Sequence, residues 1–355
     1  VQTLKALVLS GGKGTRLRPL TFTLAKQLIP LANKPVLGYV LDQLAETRIN
    51  QIGIIIAPET GRYVKEYVKD GTKWKFNVKY ILQKPLGLAH AVKTAKPFLR
   101  EEDFIMCLGD NLQGQGLTTF IQKFKKEEMD ALIILKPVED PTKFGVVTLD
   151  KKGNIIELVE KPKDPKSNLA IVGTYIFSKR IFEAIDQIKP SRRGELEITD
   201  ALKKMKTMGF KVKAEILNTW WIDTGKKDDI LIANAKILDE YIKQNIRCIV
   251  EKSKIEGRVD IQENTIVTNS TIRGPCVIGH DCIIENSFIG PYTCIGNKTK
   301  IVSSTIEYSI ILENSQITSI SMLNESLVGK NAKIIKNYQK ECLKLHIGDY
   351  SEVEM

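Results

Sequence analysis

Near the start of this 355-residue chain, three glycines and two cations fall within one seven-residue stretch, Ser10-Gly11-Gly12-Lys13-Gly14-Thr15-Arg16. Glycines let backbone N–H groups approach an anion, and Lys13 and Arg16 neutralise its charge, so the chemistry suggested is phosphate binding. The spacing fits neither common phosphate loop. A Walker A loop needs Gly-Lys-Ser/Thr four residues beyond its first glycine, and the dinucleotide fingerprint needs a glycine where Leu17 stands. A generic tight turn is the competing reading, as it is for Gly109-Asp110-Asn111, whose composition suits a turn as well as a ligand site. The histidines offer less. His90 reads as a helix surface or packing residue, His280 lies in a repetitive region, and His346 falls near the end. Cysteines 107, 248, 276, 282, 294 and 342 form no CxxC pair, which excludes a zinc ribbon or disulfide scaffold and points to a reducing compartment.

The net charge is +11, but residues 246–355 hold 12 Lys or Arg against 13 Asp or Glu. The first 245 residues therefore hold 41 against 29 and carry all the excess. That is the field expected around a site for phosphorylated substrates, with part of it on a solvated, Lys-rich face. Finger spacing, a basic helix and an aromatic stacking pair are all lacking, so nucleic acid is not expected as a partner. No apolar run approaches the 18 residues of a membrane helix, and the opening VQTLKALVLSGG is unlike a signal peptide. A cytoplasmic protein is expected.

The elements that must hold these residues alternate. Short apolar runs at 4–9, 52–57, 77–82 and 103–108 read as buried strands. Stretches 35–48, 61–69 and 88–98 read as helices between them. This is the rhythm of a mostly parallel sheet covered on both faces. Further strands are expected at 131–136, 144–149 and 155–160, and helices at 194–208 and 226–244.

After about Arg247 aliphatic residues recur every five or six positions, from Ile255 through Ile261, Ile272, Ile289 and Ile306 to Val328. Neither 3.6 nor 2 fits. A six-residue step suits a triangular solenoid of 18-residue coils, in which Cys276 and Cys294 would stack facing inward. The series resembles the left-handed β-helix of hexapeptide proteins, with Thr265 and Thr305 as imperfect steps and 334–355 as an irregular cap.

Residues 11–35, GGKGTRLRPLTFTLAKQLIPLANKP, resemble the signature of sugar-1-phosphate nucleotidylyltransferases, and most closely the long-form glucose-1-phosphate thymidylyltransferases. The likeness continues through 83–91 (QKPLGLAHA), 108–111 (LGDN), 144–146 (FGV) and 159–162 (VEKP). It then runs through 172–175 (VGTY), 193–200 (RGELEITD) and 221–225 (WIDTG). The implied fold is α/β. A Rossmann-like nucleotidyltransferase domain with a mostly parallel mixed sheet (1–245) precedes a C-terminal left-handed parallel β-helix of hexapeptide repeats with its cap (246–355).

The implied reaction is Mg²⁺-dependent nucleotidyl transfer from dTTP to glucose 1-phosphate, giving dTDP-glucose and pyrophosphate. UTP is the alternative donor. The attacking phosphate is already an anion, so the site must supply alignment and positive charge rather than a base. By resemblance, Gly11, Gly12 and Gly14 form the nucleotide loop, Arg16 contacts the leaving pyrophosphate and Lys26 is the catalytic lysine. Asp110 and Asp223 are the metal carboxylates, with Trp221 packed behind Asp223. Gln83 and Gly87 read the base, the amide pairing with the imide edge of thymine or uracil. Gly145, Glu160, Lys161 and Val172 line the sugar-phosphate side, and Arg193 is a further phosphate contact. A homo-oligomer assembled through flat solenoid faces is expected. A hexapeptide-repeat acyltransferase is the rival from another class, but no acyl-carrier site is evident in the sequence.

Overall fold

The computed structural model describes residues 4–336. They form two compact units. The first takes the chain up to Lys13, then Leu24–Leu28 and Val36–Asp223; the second takes Gly14–Thr23, Ile29–Pro35 and the chain from Thr224 onward.

The first unit is built on a nine-stranded mixed sheet. Strands Asn77–Leu82, Gln51–Ile56, Lys5–Ser10 and Phe104–Leu108 lie side by side and parallel. Lys5–Ser10, Gln51–Ile56 and Phe104–Leu108 are largely buried and apolar, as strands with both faces covered must be, whereas Asn77–Leu82 has no buried residue. Strand Leu169–Phe177, absent from the sequence reading, continues the sheet by pairing antiparallel with Phe104–Leu108 and with Ala131–Pro137. It is buried along almost its whole length, but Gly173 and Thr174 interrupt its apolar run. Strands Gly145–Leu149 and Ile155–Glu160 close one edge antiparallel, while Val212–Ile216 lies parallel to Ala131–Pro137. The helix expected over 88–98 is broken into Leu88–Thr94 and Lys96–Leu99, with Pro97 in the first turn of the second piece. The helix expected from Gly194 begins only at Ile198, because Ser191, Glu195 and Leu196 bond as extended loop.

The second unit contains helix Lys227–Tyr241, the hairpin Pro30–Leu31/Lys34–Pro35 and the repeats. The repeats form three all-parallel sheets of six, six and four strands, the architecture of a left-handed β-helix of hexapeptide repeats. Its inner ranks are stacked aliphatics: Ile261, Ile278, Ile295, Ile311 and Val328 on one side, with Val267, Ile284, Ile301 and Ile317 on the next. Each coil buries its neighbour's rank. One corner is tied by a serine ladder. Ser253 Oγ accepts from Ser270 N, Ser270 Oγ from Ser287 N, and Ser287 Oγ from Ser304 N. Thr265, an imperfect step by sequence, is fully buried; its hydroxyl donates to Gly279 O and accepts from Cys282 N.

Two expectations about the repeat are corrected. Most coils are 17 residues rather than 18, pairing Ile266 with Ile283 and Cys276 with Thr293, and one is 16, pairing Ile301 with Ile317. Cys294 is therefore in register with Val277, and a one-residue slip reverses the facing of a strand side chain. Cys276 joins the inner core, whereas the Cys294 thiol donates outward to Asn234 Oδ1 on helix Lys227–Tyr241. The repeat also runs further, from Asn245 to Ile335, since Lys333–Ile335 pairs with Gln316–Thr318 where a cap was expected. Cys342, His346 and the rest of that cap lie outside the described residues. Among the described residues no helix is long and apolar enough to cross a membrane.

Candidate active site

Parallel strands Lys5–Ser10 and Phe104–Leu108 end together, and in open α/β sheets ligands bind beyond such carboxyl ends. Gly109 N donates to Leu9 O at 2.9 Å, and a Cβ on Gly109 would lie 2.6 Å from Ser10 Oγ. Only glycine permits that approach, which delivers Asp110 to the end of the first strand. Strand Trp221–Asp223 pairs antiparallel with Asn111–Gln113 and sets Asp223 opposite Asn111. The two aspartates, 113 positions apart, thus converge. Lys26 Nζ makes an ion pair with Asp110 Oδ2 and lies 3.9 Å from Asp223 Oδ1. Asn111 Nδ2 donates to Asp110 Oδ1 (3.2 Å), and Trp221 Nε1 donates to Asn111 Oδ1 (2.8 Å). Trp221 supports the pair of aspartates through Asn111, with its ring edge-on to Phe144 at 5.1 Å. Trp220 has a separate task, packing its indole against Gly114.

Both carboxylates face one ammonium, so a cation is electrostatically favoured between them. Among the described residues no group of three or more His, Cys, Asp or Glu could hold a metal ion. Two carboxylates nevertheless fit a hard divalent ion that keeps water and phosphate oxygens as its remaining ligands.

Gly11 and Gly12 continue from Ser10. Gly11 faces Gln83 Oε1, and a Cβ on Gly12 would meet Gln27 Nε2 at 3.3 Å. Ser10 Oγ and Gln27 Oε1 are buried here without a hydrogen-bond partner. A buried polar atom without a hydrogen-bond partner is costly. Gly14 and Arg16 belong to the second unit. Gly14 adopts φ +62° ahead of the short 3₁₀ turn Thr15–Leu17 and accepts from the Thr21 hydroxyl. Arg16 is exposed. There Asp229 has its carboxyl pushed up by burial, an effect that Lys226 and Arg16 oppose.

Gln83, 7% exposed, follows strand Asn77–Leu82. Its Nε2 lies 3.3 Å from Gly87 O and 3.1 Å from His90 Nδ1. Gly87 adopts φ +104°, and a Cβ there would meet Leu196 O at 2.4 Å, so this glycine is required by the loop packed against it. That loop carries Arg193, Glu195 and Glu197.

On the expected sugar side, Gly145 has no room for a side chain between Thr199, Ile171 and Glu160. Glu160 accepts from the Thr199 hydroxyl at 3.3 Å. Burial first, and then Glu197, push its carboxyl up, with Lys161 and Arg193 opposing. Val172 is fully buried within a strand irregularity between Ile171 and Tyr175. Such bulges re-aim backbone groups beside sites. Lys161 is exposed, and its N–H donates to Phe144 O. Phe144 therefore bridges Lys161 to Trp221 and, through Asn111, to Asp110. Arg193 is the expected further phosphate contact. Its guanidinium lies 3.6 Å from Glu160, 3.1 Å from Glu195 and 3.5 Å from Glu197.

Sequence reasoning missed Gln27, Asn111, Glu197 and His90. Asn111 and Glu197 sat inside quoted motifs, where adjacency to Asp110 and Arg193 was the available signal. Ser10 stood at the head of the glycine loop with no role assigned to its side chain.

Residues 5–240 match the family model described as nucleotidyl transferase. The chain belongs to this family. Across its length this nucleotidyl transferase is 41% identical to the glucose-1-phosphate thymidylyltransferase of Streptomyces antibioticus, covering 99% of each chain. It is 38% identical to the low-salt glycan biosynthesis nucleotidyltransferase Agl11 of Haloferax volcanii, covering 99% of this chain and 100% of the other. A crystal structure of a Bacillus anthracis chain described as a glucose-1-phosphate thymidylyltransferase, in complex with sucrose, superimposes with a TM-score of 0.63 at 31% identity. The match covers 68% of this chain and 98% of that one.

Proposed function

We propose that this nucleotidyl transferase transfers a thymidylyl group from dTTP to glucose 1-phosphate, in the presence of Mg²⁺, in the cytoplasm. The observation that carries the reading is the convergence of Lys26, Asp110 and Asp223 at the ends of the parallel strands, beside a glycine loop with unpartnered polar groups. The thymidylyltransferase relative that matches end to end supports the choice of substrates.

A sugar-phosphate oxygen attacks the α-phosphorus, the bond to the β-phosphate oxygen breaks, and pyrophosphate leaves. No side chain need remove a proton, because the nucleophile is already an anion. The work is positioning and charge compensation. Asp110 and Asp223 would hold Mg²⁺, which would supply positive charge to offset that of the two anionic substrates. Lys26 moves its ammonium from Asp110 to the triphosphate. The Gly11-Gly12 backbone approaches the nucleotide. Ser10 and Gln27 exchange their unmet hydrogen bonds for ligand contacts. Gln83 reads the base and Gly87 shapes the loop below it. Glu160 accepts from sugar hydroxyls and Lys161 holds the attacking phosphate beside Gly145 and Val172. Arg193 keeps Glu160 and Glu197 in place despite their mutual repulsion.

The test is a panel of dTTP, UTP, dCTP and dATP against glucose, galactose and N-acetylglucosamine 1-phosphates, read as pyrophosphate release. dTTP with glucose 1-phosphate should give the highest kcat/KM. A clear preference for UTP would make the uridylyl reading the correct one, and no release with any pair would overturn transfer altogether.

A further inference from the structure

We infer that His90 fixes the orientation of the Gln83 amide so that the nucleobase meets an acceptor only, which makes His90 a positioning residue for selection of bases with an imide N–H. This deepens the reading of Gln83 as the base contact and rests on it.

Gly87 O is a carbonyl and can only accept, so the group 3.3 Å from it must be the Gln83 NH₂ rather than the oxygen. With Nε2 so assigned, the 3.1 Å contact to His90 requires Nδ1 to accept. The imidazole proton then sits on Nε2, an assignment that follows from the hydrogen-bond network. Thr94, 3.4 Å from the same Nδ1, donates its own hydroxyl to His90 O at 2.8 Å and leaves the assignment unchanged. Both amide hydrogens are thereby committed, one to Gly87 and one to His90. Oε1 is left facing Gly11 in the glycine loop.

An amide free to turn would offer a donor and an acceptor, and could pair with thymine or equally with cytosine. An amide pinned by His90 offers only Oε1. That atom accepts from the N3–H of thymine or uracil and repels the N3 lone pair of cytosine. Burial, and then Lys93, push the His90 imidazole down, which keeps Nδ1 available as an acceptor near neutral pH.

His90→Phe removes the acceptor and frees the amide to rotate. The ratio of kcat/KM for dTTP over dCTP should fall roughly three- to tenfold, as expected for one neutral hydrogen bond. The change should appear mainly in KM for dTTP, with kcat little moved, since the phosphates are held elsewhere. His90→Asn, whose Oδ1 supplies an acceptor near the Nδ1 position, should restore most of the ratio. The control is Gln83→Leu. If Gln83→Leu leaves the ratio intact, Gln83 does not read the base and the underlying reading fails. If Gln83→Leu collapses the ratio but His90→Phe leaves it at the parent value, the positioning role of His90 is refuted. A fall in His90→Phe that His90→Asn does not rescue would also refute it, because the loss would then come from packing.

Discussion

Asn234 is the residue on which the second unit is most sensitively tied together, and Asn234→Leu measures that tie. The side chain is fully buried on helix Lys227–Tyr241. Oδ1 accepts from Ala32 N and from the Cys294 thiol, each at 2.9 Å, while Nδ2 donates to Tyr292 O at 3.1 Å. One amide thus joins helix, hairpin turn and solenoid. The turn needs the help, because Ala32 and Asn33 both adopt positive φ (46° and 60°), which costs a non-glycine residue about 1 kcal/mol. Asn33 is held in turn by its Nδ2 bond to Ile295 O at 2.7 Å. Leucine keeps the branched outline of the side chain but leaves the Ala32 N–H orphaned and removes the donor to Tyr292 O. At about 1–3 kcal/mol for a buried unmet donor and about 1 for the lost bond to Tyr292, the sum is about 2–4 kcal/mol. Urea unfolding with a probe of the solenoid should show a lower midpoint with unchanged slope. A loss below about 0.5 kcal/mol would refute the reasoning, since an ordered partner for Ala32 N–H would then have to exist elsewhere.

Lys26→Ala should depress kcat far more than it weakens sugar-phosphate binding, whereas Lys161→Ala should chiefly raise KM for glucose 1-phosphate. Steady-state kinetics showing equal, small effects would undo that division of labour. For Glu160, burial and Glu197 raise the folded-state carboxyl above its ordinary value of 4.5. The folded state then binds more protons in that window, so this group's contribution to stability is present at low pH and is lost as pH rises through the raised value. Glu160→Gln should gain stability relative to the parent as pH rises above 4.5, and a pH-independent difference in urea midpoint would contradict the assignment.

The parallel core was legible because its strands are short runs rich in apolar residues, and Gly11 and Gly109 follow two of them at their carboxyl ends. The same punctuation flagged Gly11, Gly12 and Asp110. Strand Leu169–Phe177 was not legible as a strand, since Gly173 and Thr174 interrupt its apolar run. In the repeat, successive inner residues Ile255, Ile261, Val267 and Ile272 step by six, six and five, so the 17-residue coil was present in the aliphatic series. Rounding the step to six moved Cys294 to the wrong face. Asn234 lies within the apolar stripe Ile230, Ala233, Ile237 and Leu238, and a polar residue there gives no sign of the partners that satisfy it. His90 was read as a helix residue because its bond to Gln83 depends on the Gly87 turn, which folds position 90 back onto position 83. Arg193 lies near three glutamates, two of them within four residues of it, and the resemblance that marked it as a phosphate contact gave no sign of Glu160.

The central claim is that Asp110 and Asp223, with Lys26, form the centre at which nucleotidyl transfer occurs. Turnover of dTTP with glucose 1-phosphate by Asp110→Ala, in saturating Mg²⁺ and read as pyrophosphate release, tests it most directly. Removing one of only two carboxylates leaves the charge of both substrates uncompensated, so turnover should fall by roughly two to three orders of magnitude, the scale seen when a site loses one electrostatic stabiliser. Far-ultraviolet circular dichroism should stay at the parent spectrum. A folded Asp110→Ala enzyme turning over at close to the parent rate would contradict the account.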